Sequence, residues 1–262
     1  HVDSSAASDV YKRQAVESRS QTSNPKPPFR TSTLQMAAAS SLGFTADRTM
    51  QSAQKLYEGG FITYLRTDGI SISTSPNTGE PFSEENPGPP PLEEIRNFIR
   101  SNYAKTYLSK ETRIFKSKVQ NSQEAHEAIR PTDIFKTPKD TILNADEAKL
   151  YELIWNRTVA SQMESSKYER KTLVISSSDG KYEFRASSRK NIFQGFEILI
   201  SASEKEDSFF PEDLSEGMPL DMLSNSYEQK FSSPPNRYSE ASLIKKMEEE
   251  GIGRPSTLSL IH

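Results

Sequence analysis

Tyr64 and Arg66 stand two residues apart in the stretch "GGFITYLRTDG", Gly59 to Gly69. A tyrosine phenol becomes a nucleophile when it loses its proton, and a reference pKa near 10 means that loss needs help. A fixed arginine nearby supplies it and also stabilises negative charge building up at the attacked centre. In an extended segment alternate side chains share a face, so a strand over Phe61 to Arg66 would aim residues 64 and 66 the same way. A second stretch, "NSQEAHEAIRPTD", holds His126 and Arg130 four apart, with Glu124 and Glu127 beside them. On a helix those two cations share a face, either within a surface laced with ion pairs or as a pair offered to a phosphate. A third, "GIGRPST", sets Arg254, Ser256 and Thr257 around Pro255. Proline at a first helical position with hydroxyls alongside makes a helix N-terminus suited to a phosphate.

These residues need elements to position them. Ser32 is read as the cap of a helix through Leu42 that Gly43 ends, and Thr45 as the cap of a second helix running to Glu58. The strand Phe61 to Arg66 follows, closed by the Asp68-Gly69 turn. Residues Ser71 to Pro91, rich in Ser, Pro, Gly, Asn and Glu, read as an exposed loop. Leu92, Ile95, Phe98 and Ile99 repeat at helical spacing; a short helix is expected over Ser122 to Ile129, stopped by Pro131; a longer one covers Asn144 to Met163, with Leu150, Leu153, Ile154 and Trp155 on its apolar side. Beyond Lys167 the pattern turns to strands. Asp179-Gly180 sits between two strand-like runs as a hairpin turn, and "FEILIS" and "MPLDMLSNSYEQK" continue the β reading. "YSEASLIKKMEEEGIG" is helical again, capped near Ser239 and ended by Gly251. The fold class is α+β, without internal repeats.

Composition narrows the class. The 262 residues carry 26% charged and 33% hydrophobic side chains, with mean hydropathy −0.72 and net charge −3. The absence of cysteine excludes a disulfide framework and any thiolate zinc site. No apolar run has the length of a membrane span and no signal-peptide pattern opens the chain, so it reads as soluble and intracellular. A mildly acidic balance does not argue against nucleic acid, because a basic groove can sit on an acidic protein.

Both ends read as foreign. Asp9 to Gln14 can be encoded by GATGTGTATAAGAGACAG, whose reverse complement encodes Leu-Ser-Leu-Ile-His-Ile, and the chain closes Leu258-Ser259-Leu260-Ile261-His262. One adaptor-like DNA read on opposite strands accounts for both. Residues 1–14 and 258–262 are therefore expected to be non-native tails making few buried contacts, and 15–24 a linker.

The stretch "PFRTSTLQMAAASSLGFTADRTMQSAQKLYEGGFITYLRTDG" resembles the active-site region of bacterial type IA DNA topoisomerases, specifically the topoisomerase I branch. "EAHEAIRPTD" and "EASLIKKMEEEGIGRPST" resemble the next two signature stretches of that family, in the right order, so the likeness spans Pro25 to Thr257. The topoisomerase III branch is expected to show His-His-Ala-Ile-Ile-Pro where this chain has "AHEAIRP". "RTDG" departs from the frequent "RTDS", and Leu258 stands where the family continues "RPSTYA".

The resemblance implies roles residue by residue. Tyr64 is the nucleophile that attacks a DNA phosphodiester and forms a 5′-phosphotyrosine link; Arg66 stabilises the charge. His126 and Arg130 contact phosphates near the break, and Arg254, Ser256 and Thr257 contact the single strand. Tyr64, Arg66 and His126 must then converge on one phosphate. Residues 25–165 correspond to the tyrosine-bearing domain, 166–233 to part of a β-rich arch, and 234–257 to the start of a helical DNA-binding domain. The implied activity is ATP-independent cleavage, strand passage and religation, relaxing negatively supercoiled DNA. Single-stranded and negatively supercoiled DNA are the implied partners, for a monomeric, cytoplasmic, nucleoid-associated enzyme of bacterial or organellar origin.

Magnesium is implied for the full-length enzyme, bound by an acidic domain with an Asp-x-Asp cluster. This sequence contains no Asp-x-Asp, so no metal ligand is assigned in it and the fragment is expected to be inactive alone. The alternative reading is a module that grips single-stranded DNA without cutting it. A relaxase would need a histidine cluster, and His126 is the only histidine apart from the two terminal residues. A recombinase would need several more catalytic arginines and histidines, in another order.

Overall fold

Two adjacent glycines turn the chain out of one helix and into the tyrosine stretch. A Cβ on Gly59 would lie 3.0 Å from the Phe61 ring, and Gly60 has φ +72°, where side chains with a Cβ are strained. The computed structural model in which this is seen describes residues 11–77, 84–116, 127–177, 179–200, 210, 217–220, 224, 226 and 228–252, with backbone only at 11–16, 219, 248 and 249. They fall into two units, one formed by Asn24–Glu164, Phe196–Ile200 and Asn236–His262, the other by His1–Ser23, Ser165–Gly195 and Ser201–Pro235.

The first unit is helical. Helix α1 spans Thr31–Leu42, α2 Ala46–Glu58, α3 Pro91–Asn102, α4 Ala145–Ser161 and α5 Glu240–Glu249. Thr45 caps α2 by accepting the Arg48 N–H at 3.2 Å, as its position before the apolar period suggests. Helix α1 starts two residues earlier than expected. Arg30 is the cap residue, its N–H donating to Thr33 Oγ1 at 3.0 Å, while Ser32 lies inside the first turn. In α5, Ser239 Oγ accepts the Ser242 N–H at 3.3 Å.

Helices α3 and α4 bury their apolar stripes in one core. Leu92, Ile95, Phe98 and Ile99 from α3 meet Leu150, Ile154 and Trp155 from α4, with Leu34, Leu56, Ile62, Leu65 and Ile129 in the same cluster. Each such side chain contributes about 1.5–3 kcal/mol relative to exposure. The polar ends of the aromatics are satisfied: Trp155 Nε1 donates to the Ile134 carbonyl at 3.0 Å and Tyr151 Oη to that of Lys136 at 2.7 Å. Burial raises the Tyr151 phenol well above its ordinary pKa, so it stays protonated and donating.

The second unit is an antiparallel sheet of order β3-β2-β1-β4, with β1 Tyr11–Ser23, β2 Ser166–Ser176, β3 Glu183–Phe193 and β4 Pro219–Leu220. The β2–β3 hairpin turns at Asp179-Gly180 as its sequence indicates, with Ser177 Oγ and the Lys181 N–H donating to Asp179 Oδ1. Those donors, Ser177 first, hold the Asp179 carboxyl down at about 2.

Four expectations are corrected. Residues 15–24 are not a linker: Ala15 to Ser23 continue strand β1. Tyr11 to Gln14, expected to be a non-native tail making few buried contacts, also belong to that strand, with Lys12 opposite Ser176 and Arg13 opposite Ile175. Ladder bonds join backbone groups, so a polar run without apolar alternation can pair as readily as an apolar one. The segment "FEILIS" forms a short 3₁₀ turn over Gly195–Leu199 rather than a strand, burying Phe196 in the helical core. The helix expected over Ser122 to Ile129 does not cover Glu127–Ile129, which are extended and bridge Ser71 and Phe29; residues 122–126 lie outside the described ones. Pro131 disfavours helical backbone at the residue before it, and the neighbouring segments offer these residues backbone partners.

Candidate active site

The tyrosine stretch is not the regular strand expected over Phe61 to Arg66. It is an irregular segment with one bridge, Ile62 opposite Pro131, and it bends at Leu65 and Arg66. The alternation of a regular strand is therefore not what orients Arg66, which is half-buried. Ile62, Leu65 and Thr67 are buried, while Tyr64 between them is 53% exposed. Three anchors facing inward lift one phenol outward.

Threonines supply much of the clamp. Thr31, at the start of α1, donates from Oγ1 to the Leu65 carbonyl at 2.7 Å and accepts the Thr67 N–H at 2.9 Å. Its own N–H donates to the Thr67 carbonyl at 3.0 Å. On the other side, Thr63 Oγ1 donates to the Ala128 carbonyl at 2.8 Å and accepts the Arg130 N–H at 3.0 Å. Thr67 Oγ1 donates to the Glu127 carbonyl at 2.9 Å, and Thr132 Oγ1 to that of Gly60 at 2.6 Å. The segment Glu127–Thr132 thus backs the tyrosine stretch, and α1 holds its far edge.

Tyr64 has one aromatic neighbour that sequence reasoning missed. The Tyr57 ring, on the last turn of α2 and 40% exposed, meets the Tyr64 ring edge-on, with centroids 5.4 Å apart and planes at 70°. The seven-residue separation across the glycine pair gives no periodic cue. Only the reversal at Gly59-Gly60 brings the two rings together.

Arg130 is placed beside this segment but faces inward. Its side chain is 11% exposed, Nε and Nη2 donate to the two carboxylate oxygens of Glu127 at 2.8 and 3.1 Å, and Nη1 donates to the Pro131 carbonyl at 2.8 Å. Glu94 also feels it: burial raises that carboxyl's pKa, Arg130 partly offsets the rise, and Asp133 adds to it. The cation is thus spent largely on holding the backing segment together. His126, whose convergence on Tyr64 the resemblance implies, lies outside the described residues, as do Arg254, Ser256 and Thr257. Among the described residues no three His, Asp or Glu gather closely enough to hold a metal ion, which gives no magnesium fit there.

The sequence profile of the DNA topoisomerase family matches residues 3–261. The chain belongs to that family. It is 44% identical over 262 residues to the DNA topoisomerase 1 of Rickettsia felis, covering 94% of this chain and 32% of that protein. The DNA topoisomerase 1 of Helicobacter pylori is 41% identical, with 95% of this chain and 33% of that protein covered. Full-length topoisomerase I from Thermotoga maritima superposes with a TM-score of 0.77 at 38% identity, over 96% of this chain and 39% of the other. The chain therefore spans about a third of the length of the curated relatives it matches. No helix among the described residues is long and apolar enough to cross a membrane.

Proposed function

We propose that this chain carries the nucleophile of a type IA DNA topoisomerase of the topoisomerase I branch, with Tyr64 as the attacking residue. The observation that carries the reading is the exposed Tyr64 phenol, raised between buried Ile62 and Leu65 in a segment whose sequence matches that family. The Tyr64 oxygen loses its proton and attacks a backbone phosphorus of single-stranded DNA. The bond from phosphorus to the 3′ oxygen breaks, the 3′ oxygen leaves and takes up a proton, and the 5′ phosphate stays on Tyr64. One phosphodiester replaces another, so religation by the reverse path needs no ATP. Arg66 stabilises the charge on phosphorus oxygens in the transition state.

His126, Arg254, Ser256 and Thr257 are proposed contacts to the DNA backbone around the break. Arg130 is proposed to act there through the segment it braces, its guanidinium being engaged by Glu127. The substrate is single-stranded DNA in negatively supercoiled duplexes, and strand passage would relax it, in a monomer working in the cytoplasm at the nucleoid. Residues 25–165 are proposed as the tyrosine domain, 166–233 as part of the arch and 234–257 as the start of a DNA-binding domain. Magnesium is proposed to be held by residues outside this chain.

The test is covalent capture. The chain, completed with the remaining two thirds of its relatives' length and given magnesium, is incubated with labelled single-stranded DNA and run on a denaturing gel. A shifted band that disappears in Tyr64→Phe is expected, with strand binding nearly unchanged because only the attacking oxygen is lost. An adduct persisting in Tyr64→Phe would mean another nucleophile. Non-covalent binding with no adduct in any form would favour a binding module.

A further inference from the structure

Three neighbouring strands of the sheet bring three arginines into one row. Arg19 on β1 stands directly opposite Arg170 on β2, and Arg170 directly opposite Arg189 on β3. Directly opposed residues in an antiparallel ladder project from the same face, so the three guanidinium groups share one side, across roughly 10 Å. All three residues are exposed.

Like charges directly opposed in a sheet are destabilising. Little in the surroundings offsets it. Arg19 makes one exposed pair with Glu17 at 3.1 Å, the kind of surface contact worth little. Arg170 reaches Ser187 Oγ at 3.5 Å, the limit of a hydrogen bond. The Arg189 guanidinium lies 3.4 Å above the ring of Tyr168, a buried residue one row along on the same face. That stacking fixes its plane without neutralising its charge. Among the described residues neither Arg170 nor Arg189 has a carboxylate partner.

We infer that this row is a binding site for a nucleic-acid backbone, separate from the tyrosine segment, gripping consecutive phosphates of DNA across β1, β2 and β3. The chemistry favours phosphodiester over other anions. Arginine forks match phosphate oxygens two at a time, and a stacked, pre-oriented guanidinium loses less freedom on binding than a lysine would. The three forks start about 4.8 Å apart on neighbouring strands, and arginine's long side chain lets each take one of two or three neighbouring phosphates. The inference rests on DNA being the substrate, as proposed above, but not on Tyr64.

The experiment is fluorescence anisotropy of labelled oligonucleotide, single-stranded and duplex, against this chain and its Arg19→Gln/Arg170→Gln/Arg189→Gln variant over a range of salt. The variant is expected to bind about tenfold or more weakly. Its plot of log affinity against log salt should be shallower by about 2–3 units, one lost phosphate contact per arginine. Comparing the two oligonucleotides shows which form of DNA the row takes. Tm separates binding from structure: removing opposed like charges should leave it unchanged or raise it. Equal affinity and slope for variant and wild type would overturn the site. So would a Tm drop of several degrees, which would make the arginines packing residues, or equal competition by polyglutamate, which would make the row a grip for any polyanion. Failure of the Tyr64 reading appears separately, as an adduct surviving Tyr64→Phe, and leaves the anisotropy result standing.

Discussion

Tyr64 is exposed because its neighbours are not. Ile62 and Leu65 are fixed in the core, and the backbone between them has to present residue 64 outward. Arg66→Ala in the completed enzyme should slow cleavage roughly a hundred- to thousandfold while leaving strand affinity within a fewfold, by analogy with deleted oxyanion donors. Single-turnover adduct formation measures it. Tyr57 makes a subtler contribution. Its edge contact with Tyr64 limits the ring's freedom, and such aromatic pairs are worth about 0.5–1.5 kcal/mol. Tyr57→Phe keeps the ring and should retain the cleavage rate. Tyr57→Ala should lower the rate several-fold with little change in KM, and an unchanged rate in Tyr57→Ala would remove its positioning role. Tyr64 and Arg66 are legible as residue types, and the roles proposed for them rest on the likeness of their segment to the family. Tyr57 is not, because the contact depends on a reversal that no periodicity encodes.

At the scale of elements, the site is held by hydroxyls bonding to backbone. Thr31→Val keeps the volume and removes the oxygen that serves both the Leu65 carbonyl and the Thr67 N–H. Leaving buried backbone groups short of a partner costs about 1–3 kcal/mol. The denaturant midpoint should therefore fall, and cleavage in the completed enzyme should fall with it as Tyr64 loses its frame. The β2–β3 turn gives a pH prediction. The Asp179 carboxyl sits at about 2, below the ordinary value near 3.9, so the unfolded chain binds its proton more readily. The stabilisation is present above the unfolded pKa and is lost as pH falls through the folded one. Proton exchange at the Lys181 amide should therefore lose protection between about pH 4 and pH 2, and Asp179→Asn should flatten that dependence. A turn whose protection is unchanged down to pH 2 would contradict it. The helices α2, α3 and α4 are legible because apolar side chains recur at their period. Strand β1 is not, since its polar residues carry no alternation and its partners come from residues more than a hundred positions away.

On the scale of the whole molecule, the sequence by itself determined the family and the division into a helical part and a strand-rich part, and it is the source of the proposal that Tyr64 is the nucleophile. These rest on local order: residue types in ordered motifs, helical period, and turn residues such as Asp179-Gly180. Tertiary structure decided what local order cannot carry. It decided that the segment bearing Tyr64 is irregular rather than a strand, because its backbone groups are taken up by Thr31 on one side and by the backbone of Arg130 and Thr132 on the other. It turned Arg130 inward onto Glu127, where helical spacing had left open either an ion pair or a cation offered to phosphate. It also set Arg19, Arg170 and Arg189 in one row. Those three belong to unremarkable polar runs in the chain. Register alone, set by hydrogen bonding between distant backbone segments, makes them neighbours, and pairing of that kind leaves no trace in the order of residues along a single strand.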